Sequence, residues 1–95
     1  MHVISRKALR LFWERHPDGQ TALARWFKVM RHTEFHSFNE LRATSPSADQ
    51  VDGWIVFNLG GNKYRLIASI HFNRGKVYIR QVLTHPEYTR GAWKR

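Results

Sequence analysis

Hydrophobic and polar positions along the chain change period once, near residue 54. Before that point the apolar spacing is helical. Leu9, Phe12, Trp13 and His16 recur at three- and four-residue intervals with Ala8 and Leu11 flanking, which predicts a helix that Ser5 can cap. His16-Pro17-Asp18-Gly19 should stop it, because proline removes a donor and glycine permits positive φ. A second helix is predicted from about Thr21 to His32, with Leu23, Trp26, Phe27 and Met30 on one stripe and Arg25, Lys28 and Arg31 opposite. Ser37-Phe38-Asn39-Glu40 fits a capping box ahead of a short helical turn over Phe38–Arg42. Residues 43–53, rich in Ser, Ala, Asp and Pro, read as a loop.

From Trp54 the pattern is that of strands. Trp54–Leu59 and Lys63–Phe72 flank Gly60-Gly61-Asn62, a hairpin turn. In the second strand Leu66, Ala68 and Ile70 share one face, and Arg65, Ile67, Ser69 and His71 the other. Asn73-Arg74-Gly75 is a further turn, Lys76–Thr84 a third strand, and His85–Arg95 a short tail. His2-Val3-Ile4 forms a short strand at the start. The order β-α-α-(short helix)-β-β-β predicts an α+β fold, with an antiparallel sheet, two N-terminal helices on one face and the opposite face open to a ligand.

Length and composition narrow this to a single domain over residues 1–95: 95 residues hold one core, and 42% hydrophobic with 14% aromatic residues can fill it. The absence of cysteine excludes a disulfide scaffold, a zinc ribbon and a thiol nucleophile. No apolar run is long enough for a membrane span and the N-terminus lacks a signal-peptide core, so a cytoplasmic protein with no membrane partner is expected.

Charge says more. Sixteen Lys and Arg against seven Asp and Glu give +9. Residues 1–50 carry +3 and residues 51–95 carry +6, with Asp52 and Glu87 the only acids in the second half. Such a surplus suits a polyanion, above all nucleic acid. The scattered acids offer no two-metal cluster, and Gly60-Gly61 lacks the Lys-Ser/Thr and helix of a phosphate loop, so neither a metal nor another cofactor is expected. Metal-independent RNA cleavage needs a base at the 2′-hydroxyl, an acid at the leaving oxygen and cations at the phosphorane. Lys63, Arg65, His71, Arg80, His85 and Tyr88 could supply these. Each also has a plain structural reading: a solvated lysine, strand residues paired with acids, a tail packed by Tyr88 and Trp93. Arg65 and Arg80 lie in otherwise apolar strands of an acid-poor half, which favours their facing a ligand on the open face.

Three segments carry a family resemblance: Met1–Leu9, Val56–Leu66 (VFNLGGNKYRL) and Tyr78–Tyr88 (YIRQVLTHPEY). Together they resemble the HigB toxins of type II toxin–antitoxin systems over essentially the whole chain. The resemblance implies a RelE-like fold with a curved sheet and an mRNA interferase acting mostly in the ribosomal A site, by 2′-hydroxyl attack without a metal. It also implies a HigA-like helix-turn-helix antitoxin, with operator DNA bound only through the toxin–antitoxin complex. Residue by residue, it implies phosphate stabilisation by Arg65 and Arg80, acid or base work by His85, and proton transfer or base stacking by Tyr88. Asn62 and Lys63 are the hairpin candidates for RNA contact. The paired lysines of RelE-type toxins are missing from Ile55–Asn58, so the general base does not transfer, and Lys63 or His71 are the candidates left. Two other readings compete: a non-catalytic basic RNA-binding module, and a DNA-binding repressor using the two N-terminal helices. The second of those helices reads as core, which disfavours the repressor.

Overall fold

The computed structural model describes residues 1–94. In chain order it contains β1 (His2–Ile4), α1 (Arg6–Arg15), α2 (Gln20–His32), α3 (Phe38–Thr44), β2 (Asp49–Val51), β3 (Trp54–Leu59), β4 (Tyr64–His71), β5 (Lys76–Thr84) and α4 (His85–Arg90). The strands form one sheet in the order β1-β5-β4-β3-β2. The helical stripes behave as their spacing predicts: Leu9 and Phe12 of α1, and Leu23, Trp26 and Met30 of α2, are buried against Phe57, Leu66, Ala68 and Val77 on the inner face of the sheet. No helix among the described residues is long and apolar enough to cross a membrane.

Five expectations need correction. The sheet is mixed, because β1 runs parallel to β5 (His2 opposite Lys76, Ile4 opposite Tyr78) while the other pairs are antiparallel. The stretch read as a loop contains β2, a three-residue edge strand pairing Asp49 with Val56 and Val51 with Trp54. The tail is α4 followed by a 3-10 turn at Ala92–Lys94, with Arg95 outside the described residues. Nor is the outer face fully open. Trp93 is buried there against Val56 and Ile67, with Tyr88, Leu83, Trp54 and Val51 around it. The Ser37 cap is present, but the Glu40 carboxylate accepts from the His36 amide rather than closing a box on Ser37.

One irregularity shapes the outer face. The register steps from Ile67 opposite Gln81 to Ala68 opposite Ile79, so β5 carries one extra residue, Arg80, at that step. The bulge breaks strict alternation: Val77, Ile79 and Val82 pack toward the helices, while Tyr78, Arg80, Gln81 and Leu83 lie outward.

Two contacts fix the ends of the helical layer. The Met1 ammonium donates to the carbonyls of Met30 (2.9 Å) and Thr33 (3.0 Å) and pairs with Glu34 (3.2 Å), satisfying the C-terminal end of α2. Tyr64, 5% exposed, packs edge-on against Phe12 and donates from its hydroxyl to Asp18 Oδ1 at 2.6 Å, locking the hairpin onto the α1–α2 turn. That hydrogen bond, followed by the Lys63 ammonium, holds the Asp18 carboxyl below its ordinary range, while the carboxylate holds the Tyr64 phenol above its own. Tyr64→Phe should therefore lower the melting temperature at neutral pH. For Asp18, whose folded pKa is depressed, the contribution is present above the ordinary carboxylate value and lost as pH falls below about 4. The gap between wild type and Tyr64→Phe should close there, read by thermal melts across pH. Ile67→Ala, which opens a cavity between the sheet and Trp93, should cost about 2–5 kcal/mol in urea unfolding.

Candidate active site on the outer face of the sheet

The hairpin end of β3–β4 assembles the first cluster. Asn62 adopts φ 81°, a left-handed conformation that asparagine tolerates, and this turns its side chain back over the strands. Cross-strand register sets Asn58 opposite Arg65. The Arg65 guanidinium donates to Asn58 Oδ1 (2.9 Å), Asn62 Oδ1 (2.7 Å), the Asn62 carbonyl (3.1 Å) and the Tyr64 carbonyl (3.2 Å). Asn58 Nδ2 also donates to Asn62 Oδ1 at 3.0 Å, closing the network. All these acceptors are neutral, so the guanidinium is oriented while its charge is left uncompensated by them. It lies 5.3 Å from the centre of the Tyr88 ring, which stacks at 5.1 Å on Trp93.

The second component is the start of α4. Thr84 and Glu87 form a capping box: the Glu87 carboxylate accepts from the Thr84 amide (2.9 Å), and Thr84 Oγ1 accepts from the Glu87 amide. The Thr84 amide hydrogen bond holds the Glu87 carboxyl below its usual range. With α4 seated, the His85 amide donates to the Lys63 carbonyl at 2.9 Å, which ties His85 to the hairpin. Thr89 adds an orientation. Its hydroxyl donates to the His85 carbonyl at 3.0 Å, which uses its one proton, and its oxygen lies 3.3 Å from His85 Nδ1.

Arg65, Tyr88, Asn62 and Lys63 thus gather around one end of the outer face, with His85 tied to it through its backbone amide, although Lys63 is turned toward Asp18 (Nζ–Oδ2 3.5 Å). Arg80 and His71 do not join them. Arg65 stands opposite Leu83, so Arg80 is about 10 Å away along β5 at ~3.3 Å per residue. His71, at the far end of β4, is about 20 Å away by the same spacing. These two belong to a second depression of about 530 Å³, lined by Trp54, Ser69, His71, Tyr78, Ile79 and Arg80. There Arg80 stacks 4.5 Å over Trp54, and His71 meets Tyr78 edge-on at 5.2 Å. Among the described residues no group of three or more His, Asp or Glu side chains could hold a metal ion.

Asn58 and Thr89 escaped the sequence reading. Asn58 follows from counting back across the hairpin from Arg65, and Thr89 from the i, i+4 spacing to His85 once Thr84-His85-Pro86-Glu87 is read as a capping box.

A family profile describing HigB toxin, the RelE-like toxic component of a toxin-antitoxin system, matches residues 19–91. An mRNA interferase toxin HigB of Escherichia coli strain K12 is 38% identical over 91 residues, covering 93% of this chain and 88% of the relative. An mRNA interferase HigB of Shigella flexneri matches to the same extent, and one of Escherichia coli O6:H1 is 30% identical over the same coverage. With the profile spanning most of the chain and these relatives nearly all of it, the chain belongs to the HigB family of RelE-like toxins.

Proposed function

We propose that this chain is an mRNA interferase, an endoribonuclease that cuts messenger RNA on the translating ribosome in the cytoplasm and is neutralised by a HigA-like helix-turn-helix antitoxin. In this reading operator DNA is reached only through the toxin–antitoxin complex. The observation that carries the proposal is the Arg65 guanidinium, oriented by neutral oxygens over Tyr88 at the end of an acid-poor face. The relatives' names supply the substrate.

The chemistry is in-line attack without a metal. The ribose 2′-oxygen attacks the adjacent phosphorus, its proton leaves, and the P–O5′ bond breaks as that oxygen gains a proton. The products are a 2′,3′-cyclic phosphate and a 5′-hydroxyl. Arg65 offers paired N–H donors to the phosphorane, where charge builds up. His85 takes or gives the proton. The Tyr88 ring is engaged by Arg65 and Trp93, which leaves its hydroxyl as the group for proton transfer. Asn62 and Lys63 contact the backbone at the hairpin. Arg80 serves as a second cation at a neighbouring phosphate, and His71 contacts the strand farther along. A site this sparse is completed by the ribosome, which positions the codon and fixes the attack angle.

Induced expression with primer extension on a reporter mRNA tests this. Wild type should arrest growth and produce new cuts. Arg65→Ala and His85→Ala should keep their melting profiles and lose roughly 10²–10⁴-fold in cleavage. Arrest without cuts would favour a non-catalytic RNA-binding module, and undiminished cutting by both variants would overturn the site.

A further inference from the structure

The second depression lies on the same face as Arg65 but too far along the sheet to share its phosphate. Its make-up is that of a single-strand binding platform. Tyr78 is one of two large apolar side chains with substantial exposure, at 36%. Trp54 is half-buried beside it, with the Arg80 guanidinium 4.5 Å over its ring. His71 stands against the Tyr78 edge. Register adds Lys76, opposite both His71 and His2, two residues from Tyr78 and therefore on the same face. Aromatic faces interleaved with cations bind nucleobases and backbone together, whereas a purely electrostatic patch needs no exposed rings.

The bulge makes β5 continuous with this face. Without the extra residue at the Ile67/Ala68 step, Tyr78 and Leu83 would point to opposite faces, whereas Arg65, Ser69 and His71 share the outer face of β4 by alternation alone. Among the described residues the nearest acids stand at the margins: Asp49 on the edge strand β2, Asp52 in the turn before Trp54, and Glu87 held in its capping box.

We infer that Trp54 and Tyr78 form a stacking subsite for a nucleobase of single-stranded RNA flanking the scissile bond, with Arg80, His71 and Lys76 meeting the adjoining phosphates. The inference rests on the proposed RNA substrate. The subsite lengthens the RNA footprint along the sheet and supplies affinity that the hairpin cluster alone does not.

Fluorescence anisotropy with uncleavable 2′-O-methyl oligoribonucleotides tests it. The full chain is used in a His85→Ala background, so that toxicity and cutting do not interfere. One probe has about three nucleotides and the other about eight, a length within known single-strand site sizes. The longer probe should bind at least tenfold more tightly. Tyr78→Ala and Trp54→Ala should each remove about tenfold of that gain with little effect on the short probe, while Tyr78→Phe keeps it. Tyr78→Ala changes an exposed ring and carries the test if Trp54→Ala fails to fold. No gain with length, equal losses on both probes, or equal losses on double-stranded RNA would overturn the subsite. None of these results bears on cutting, which the primer-extension experiment judges separately.

Discussion

β4 is packed on both sides: Leu66 and Ala68 are fully buried beneath the helices, and Ile67 is fully buried beneath Trp93. A strand under that constraint has no room for charge in its middle, because an ionised group there would lose its hydration without a partner. Polar side chains are therefore pushed to its two ends, Arg65 at the hairpin and Ser69 and His71 at the other. The two clusters on the outer face are a consequence of this. They are separated by the row Val56–Ile67–Gln81, over which Trp93 sits.

Carboxylates are distributed by the same economy of burial and pairing. Asp18 is engaged by Tyr64 and Lys63, Glu34 by the Met1 ammonium, Glu40 by His36, and Glu87 by Thr84. Each holds a turn, a helix end or a cap. The guanidinium of Arg65 is steered by amide and carbonyl oxygens instead, which fix its direction without cancelling its charge. A net charge of +9 becomes useful to a polyanion only through this division of labour.

Legibility followed physical strength. The stripes Leu9–Phe12 and Leu23–Trp26–Met30 were readable because burial imposes their period, and β3, β4 and β5 because glycine-bearing turns punctuate them. β2 was not readable: three residues on an edge, with Asp49 and Gln50 exposed, carry no hydrophobic signal. The parallel pairing of β1 is a fact of topology that its three residues could not announce. α4 had a signal in Thr84-His85-Pro86-Glu87, masked by its brevity. Within the candidate site, Arg65, Asn62 and Lys63 share a hairpin, so their proximity was readable; His85 and Tyr88 were candidates by residue type, and their roles came with the family resemblance. The distance of Arg80 from Arg65 depends on strand register and a bulge, neither of which residue types reveal, whereas that of His71 follows from six residues along one strand.

Pairing β1 with β5 joins the first strand of the chain to the last, so the sheet cannot be completed progressively as the chain is made. Contacts this distant in sequence form late, after the intervening segments have collapsed. His85 and Tyr88 follow β5 directly. A chain still in synthesis, short of β5 and α4, has neither a closed sheet nor a complete candidate site. The candidate site therefore comes into being only with the strand that closes the sheet.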